Sequence, residues 1–310
     1  MVLKKCHFFL FLMDAYLELV RKILRNGILK ENRTGEKTLT IFGEKFEHDL
    51  ADGFPLLTTK KMPYQLVCSE LEFFIKGLTD KRWLQQRGNH IWNEWCNPQK
   101  VPYDHDDETK SKMMQEADLG PIYGFQWRHF GAEYKGLGVD YTGQGVDQLG
   151  KLVHDLKKNV EQKSDIKTKS QERRMVISAW NPAQQHQMAL PPCHYSFQID
   201  VIGKKLNLAW NQRSADVMLG LPFNIASYAT LLHLLAKETG YEPGKLIGFL
   251  GDTHIYENHR PGLEEQLTRT PHPLPTIETE NFTSIFDWKY TDTKVLNYQH
   301  HSYIKFPIAV

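Results

Sequence analysis

Between Met175 and Trp210 the apolar residues abandon a helical spacing and alternate with polar neighbours. Met175-Val176-Ile177-Ser178-Ala179-Trp180 reads as a strand. Tyr195, Phe197, Ile199 and Val201 alternate, Leu206, Leu208 and Trp210 do the same, and Gly203 sits between the two runs as a hairpin turn. Strands that bury one face need a cover, and helices on either side of this stretch supply it. Val146, Leu149, Leu152, Val153 and Leu156 mark an amphipathic helix before it. After it, Asn224 can cap a long helix through Lys237 that Gly240 ends.

The same reading extends outwards. Tyr16, Leu17, Val20, Ile23 and Leu24 fall at helical spacing with Gly27 as C-cap, Thr38 to Gly43 alternates as a strand, and Val67 to Ile75 is a buried helix closed by Gly77. Leu246 to Leu250 is a further strand, ending at Gly251-Asp252-Thr253-His254. Asn97 to Asp118 is polar and without period, so it is expected to be a long, mobile insertion, and Lys157 to Lys169 a solvated charged loop. No repeat, Pro/Gly/Ser linker or composition break divides the chain. The expectation is one α+β domain with a mixed β-sheet flanked by helices, within the size a single core can serve.

Charge narrows the function. The 38 Lys+Arg and 37 Asp+Glu nearly cancel, so nothing global attracts nucleic acid or a membrane, and any basic site must be a local pocket. The 4 cysteines form no C-x-x-C and no pair at metal-ligand spacing, which points to a reducing, cytoplasmic setting and no metal. Lys4-Lys5 and the apolar run to Met13 imitate a secretory signal. The run is short, no small-residue cleavage site follows, and Asp14 opens an amphipathic helix instead. Residues 1–12 are therefore expected to be an N-terminal extension, with Met13 as functional start and residues 13–310 as the domain.

Chemistry concentrates in one block. Cys193 in Leu190-Pro191-Pro192-Cys193-His194 precedes Asn211-Gln212-Arg213-Ser214-Ala215-Asp216 and Gly220-Leu221-Pro222-Phe223-Asn224. A thiol becomes a nucleophile as thiolate, which a nearby Arg favours, and Arg also grips phosphate with two N–H groups. A side-chain amide can read one edge of a base. Each residue also has a plainer role: a buried structural thiol, a solvated cation, a helix cap at Asn224.

Together with Asp118-Leu119-Gly120-Pro121-Ile122-Tyr123-Gly124-Phe125-Gln126-Trp127-Arg128, Gly251-Asp252-Thr253-His254-Ile255-Tyr256 and the terminal Pro307-Ile308-Ala309-Val310, this block closely resembles thymidylate synthase. The likeness runs from about Tyr16 to the C-terminus. It implies reductive methylation of dUMP to dTMP, with 5,10-methylenetetrahydrofolate giving the carbon and a hydride and leaving as dihydrofolate. It also implies a cytoplasmic homodimer with two active sites and a sheet face as the dimer interface, no metal, and no nucleic acid or membrane partner.

The resemblance assigns roles residue by residue. Cys193 attacks C6 of uracil; Glu70 organises water and assists proton transfer; Tyr123 takes part in removing the C5 proton; Asn224 reads N3–H and O4. Arg33, Arg213, Arg173 and Arg174 hold the phosphate with Ser214, the last two arginines reaching in from the partner chain. His254 and Tyr256 bond the ribose 3′-hydroxyl, and Asp216 lies between nucleotide and folate. Trp92, Asn93, Asp216, Gly220, Phe223 and Ala309 surround the folate. His194 is read as structural, not as a general base.

Several positions depart from the family pattern: the charged pair Glu36-Lys37, Asn93 in place of Asp, Glu72 and Phe73 in place of apolar and Trp residues, and His301-Ser302-Tyr303 before the tail. None removes a reacting group. Two alternatives differ in outcome: a uracil 5-hydroxymethylase, in which water intercepts the methylene intermediate, and a non-catalytic nucleotide- or RNA-binding relative.

Overall fold

The structure, a computed structural model, describes residues 11–32, 35–104, 106–161 and 172–308. Helix α1 (Phe11–Asn26) buries Tyr16, Leu17, Val20 and Ile23 against strand β2 (Thr38–Asp49), which pairs with the short edge strand β1 (Ile28–Lys30). Gly27 donates its N–H to Ile23 O at 2.8 Å, as a C-cap should. Its backbone is not left-handed, though. Glycine is required there because a Cβ would stand 2.6 Å from Leu39 Cγ. Strand β2 outruns the expected Thr38–Gly43, with Phe46 and His48 continuing the inward alternation.

Helices α2 (Tyr64–Ile75), α3 (Arg82–Gln85), α4 (Asp107–Gln115), α5 (Tyr123–His129) and α6 (Gln148–Glu161) follow. The expectation for Asn97 to Asp118 needs correcting, because this segment carries α4. Only Met113 of that helix is buried, so no apolar stripe announces it. Local chemistry holds it: Asp106 accepts from Thr109 N and Oγ1, both at 2.8 Å, and Lys112 pairs with Glu108 one turn away. The expected loop from Lys157 begins later, since α6 runs to Glu161; residues 162–171 lie outside the described residues.

Strands β3 (Val176–Ser178), β4 (His194–Ile202) and β5 (Lys205–Asp216) lead into the long helix α7 (Gly220–Thr239), then β6 (Glu242–Tyr256), α8 (Arg260–Leu267) and a small hairpin, β7 (Thr276–Thr279) with β8 (Thr293–Leu296). Gly203 begins the two-residue turn between β4 and β5 at φ 66°, and Gly240 closes α7 at φ 76°, both conformations that favour glycine. The main sheet runs β1-β2-β6-β5-β4-β3. It is mixed, because β5 and β6 are parallel and the other pairs antiparallel.

Alternation on β5 turns Leu206, Leu208 and Trp210 towards α7, where Trp210 stacks on Tyr228 with centroids 5.3 Å apart. Gly248 on β6 makes room for that indole, since a Cβ would lie 2.4 Å from its ring. Glu72, the charged departure in α2, is buried but answered by Lys76 Nζ at 2.5 Å and by the Tyr290 amide at 2.7 Å. Phe73 fills its own position beside Trp83. The parallel β5–β6 pair brings Ser214 beside Asp252 and Asp216 beside His254, so motifs distant in sequence meet at one end of the sheet.

Candidate active site

Cys193 precedes β4 and is half-buried. Its main chain is gripped from two sides. Cys193 N donates to Tyr123 Oη at 2.8 Å, and its carbonyl accepts from Arg213 N at 2.8 Å. The Arg213 guanidinium donates to Pro192 O (3.0 Å) and Pro191 O (2.7 Å), which leaves Nη2 3.9 Å from Cys193 Sγ. A fixed cation beside the sulfur favours thiolate over thiol. Arg213 is exposed, so the same cation also faces solvent.

The groups around the thiol are mostly neutral. Burial pushes the Tyr123 phenol well above its ordinary range and the His194 imidazole down to about 3. His194 pairs with the Tyr228 hydroxyl at 2.9 Å and stacks on Tyr123 at 4.3 Å. It is an uncharged packing group at neutral pH, in keeping with its structural reading. Glu70 on α2 differs. Desolvation lifts its carboxyl to about 7, partly opposed by the Trp92 indole N–H, which donates to Oε1 at 2.7 Å. A carboxyl poised near neutrality can both give and take a proton. Trp92 meets Tyr123 edge-on at 6.2 Å, and so connects the carboxyl to the phenol that holds the Cys193 amide.

Asn224 lies inside the first turns of α7, which begins at Gly220, so it does not cap the helix as the sequence allowed. Its amide is oriented by a relay. Trp210 Nε1 can only donate, and it donates to Gln212 Oε1 at 3.0 Å. Gln212 Nε2 must then donate, to Ser214 O at 2.9 Å and to Asn224 Oδ1 at 3.0 Å. The second lone pair of Asn224 Oδ1 and its amino group are thereby set for an edge carrying one donor and one acceptor.

On β6, His254 Nδ1–H donates to Asp252 Oδ1 at 2.8 Å, which directs the other ring nitrogen away; Tyr256 packs edge-on to it at 5.2 Å. The imidazole and Lys30 hold the Asp252 carboxyl below its ordinary range. Asp216 Oδ1 accepts from the amides of Met218 (3.0 Å) and Leu219 (3.1 Å), ordering the turn into α7. At Gly220 a Cβ would approach only Asp216 Cβ, at 3.7 Å, and Phe223 packs on the core. Asn93 is engaged within the chain: Gln85 Nε2 donates to its Oδ1 at 2.9 Å.

Not every expected residue meets here. Arg173 and Arg174 are exposed in a single turn before β3, at the far edge of the sheet. Arg33 and Ala309 lie outside the described residues. Sequence reasoning gave no role to Gln212, Lys60 or His259. Lys60 is buried over the Phe306 ring at 4.6 Å, donates to Met218 O, and is pushed down to about 7 by burial. His259 Nε2–H donates to Pro307 O at 2.8 Å, with Nδ1 3.6 Å from Asp216 Oδ1, and so joins the turn before α7 to the C-terminal run. The one signal for Lys60 was a lysine following the apolar and threonine run Leu56 to Thr59. Among the described residues no cluster of His, Cys, Asp or Glu could hold a metal ion, and no helix is long and apolar enough to cross a membrane.

A family model described as thymidylate synthase matches residues 14–310. The bifunctional dihydrofolate reductase-thymidylate synthase of Paramecium tetraurelia is 43% identical over 297 residues, covering 96% of this chain and 61% of the relative. The chain thus spans about three-fifths of the length of that curated relative.

Proposed function

The chain belongs to the thymidylate synthase family, and on that premise we propose that it converts dUMP to dTMP with 5,10-methylenetetrahydrofolate as co-substrate. The observation that carries the reading is the Cys193 sulfur held 3.9 Å from the Arg213 guanidinium, on a backbone clamped by Tyr123 and Arg213. The Cys193 thiolate adds to C6 of uracil, forming the S–C6 bond while the C5–C6 π pair moves to make C5 nucleophilic. Arg213 and Ser214 take the phosphate, and Asn224 takes N3–H and O4. Glu70, near its own midpoint at neutral pH, moves protons at O4. Tyr123 positions the water that receives the C5 proton, and C–S cleavage finally returns the sulfur as thiolate.

The residues facing the folate fit it by their chemistry. Trp92 offers an aromatic wall, Asp216 an acceptor for pterin N–H groups, and Gly220 close approach without a side chain. When bound, that co-substrate supplies the one-carbon unit and the hydride. The test is tritium release from C5-labelled dUMP, with dihydrofolate detected alongside. Release with 5-hydroxymethyl-dUMP in place of dTMP indicates the hydroxymethylase, and nucleotide binding without release indicates a non-catalytic relative.

Asn224→Asp tests the base reader. Gln212 donates equally well to a carboxylate, so the fold should hold, while the new acceptor suits the cytosine amino group. Discrimination for dUMP over dCMP should fall by about 100-fold or more in kcat/KM. Unchanged discrimination places the reader elsewhere.

A homodimer belongs to the same reading, supported by the sheet face opposite α7. There Phe42 is 83% exposed and, with Tyr195 and Phe249, lines a depression of about 460 Å³. An uncovered aromatic face of this kind favours a partner. Arg173 and Arg174, exposed at the sheet edge, are proposed to reach the partner's phosphate site. Mixing Arg173→Ala with Cys193→Ala should therefore restore up to about a quarter of wild-type activity, because random exchange gives hybrids with one intact site. No recovery after verified subunit exchange rules out shared sites. The cysteine usage supports a cytoplasmic setting.

A further inference from the structure

Lys81, at the start of α3, is 1% exposed, and all three of its ammonium protons go to main-chain carbonyls: Asn93 O at 3.0 Å, Trp95 O at 2.9 Å and Met113 O at 2.7 Å. Among the described residues no carboxylate forms an ion pair with it. A buried cation is costly, and volume alone at this position could be filled by an apolar side chain. What the cation does is gather three carbonyls from two separate segments of the chain. Two belong to the turn that carries Trp92, and the third to the last turn of α4, where orphan carbonyls and the helix dipole favour a positive charge. One turn beyond Lys81, Gln85 Nε2 donates to the Asn93 side chain, so positions i and i+4 clamp the same residue through its main chain and its amide.

We propose that Lys81 is a positioning residue: it locks the Trp92–Trp95 turn so that the Trp92 indole N–H stays on the Glu70 carboxylate, and it ties that turn to helix α4 of the insertion. The chain of contacts is short. Lys81 Nζ holds Asn93 O and Trp95 O, Trp95 N closes the turn onto Trp92 O at 3.2 Å, and Trp92 Nε1 reaches Glu70 Oε1 at 2.7 Å. The indole bond favours the ionised carboxylate, so loosening the turn should let Glu70 titrate higher still. The other titratable groups acting on these two are Tyr123 beside Glu70, and Cys96 and Glu116 beside Lys81. The functional meaning rests on Glu70 as the proton-handling group of the proposed reaction. The placement of Trp92 does not.

The experiment reads the Glu70 titration in the full chain without substrate, by carboxyl ¹³C shifts assigned with Glu70→Gln. Trp92→Phe deletes the indole donor and should raise the midpoint by about one unit. Lys81→Met should raise it by a comparable amount, and the double variant should move no further than Trp92→Phe alone. Gln85→Leu removes the lesser half of the clamp and should give a smaller shift in the same direction; it carries the test if Lys81→Met does not fold. Midpoints unmoved in Lys81→Met and Gln85→Leu while Trp92→Phe shifts, or full additivity in the double variant, overturn the proposal. Loss of tritium release in wild-type protein bears on the reaction and leaves this result intact.

Discussion

Replacing Cys193 by Ser should lower dUMP turnover by about 10⁴-fold or more while leaving dUMP binding largely in place. The two halves of this expectation have separate causes. Binding survives because the contacts that place residue 193 are main-chain ones: its N–H to Tyr123 Oη, its carbonyl to Arg213 N. Serine keeps both, and Arg213 still donates to Pro191 and Pro192 with its outer face open to phosphate. Turnover fails because a hydroxyl ionises far less readily than a thiol, and a cation 3.9 Å away cannot make up that difference. His194, the adjacent imidazole, is no substitute base, since burial holds it down to about 3 and its Nδ1 is taken by Tyr228. Equilibrium dialysis of dUMP against the variant, with single-turnover product formation, separates the two halves. Residual turnover within tenfold of wild type removes the covalent step. So does the absence, in wild type, of a mass adduct at Cys193 after incubation with 5-fluoro-dUMP and the folate.

Glu70→Gln should make the folded protein less sensitive to pH, by about 2.5 kcal/mol between pH 5 and pH 8. Burial lifts the Glu70 carboxyl from 4.5 to about 7. Between those values the unfolded chain has released its proton while the folded chain retains it. The folded state therefore binds more protons, and wild-type stability falls as pH rises through that window, levelling off above about 7. Glutamine keeps an acceptor for the Trp92 indole and carries no proton to lose, so the variant escapes the fall. At fixed protein concentration, the urea unfolding free energy of wild type minus variant should become more negative by that amount on going from pH 5 to pH 8. A difference independent of pH means that Glu70 is solvated and ordinary. The same change should cost turnover, because a neutral amide cannot exchange a proton.

Apolar spacing carried much of the architecture. The alternation of Leu206, Leu208 and Trp210 reappears as the inward face of β5, and Tyr16, Leu17, Val20 and Ile23 as the buried stripe of α1. It failed where stability does not come from an apolar stripe. Helix α4 buries one residue and is held by an Asp106 cap, a Glu108–Lys112 pair and a carbonyl given to Lys81. Nothing in a hydrophobic period registers those contacts. Asn224 misled for a related reason: it is a good cap residue, but α7 already starts at Gly220, with Leu221 and Pro222 buried in its first turn and no side chain capping it.

The sequence by itself determined which chemical groups are present, because Cys193, Arg213, Asn224, Glu70 and His254 stand in long ordered motifs whose identities do not depend on folding. Tertiary structure alone decided the state of those groups. Glu70 titrates near 7 because burial desolvates it more than an indole donor 22 residues along the chain can offset. Asn224 presents one face because Trp210 orients Gln212, and Lys81 is a clamp because three carbonyls from two distant segments converge on it. Protonation and orientation are set by desolvation and by donor geometry. Both are properties of surroundings that chain order does not record.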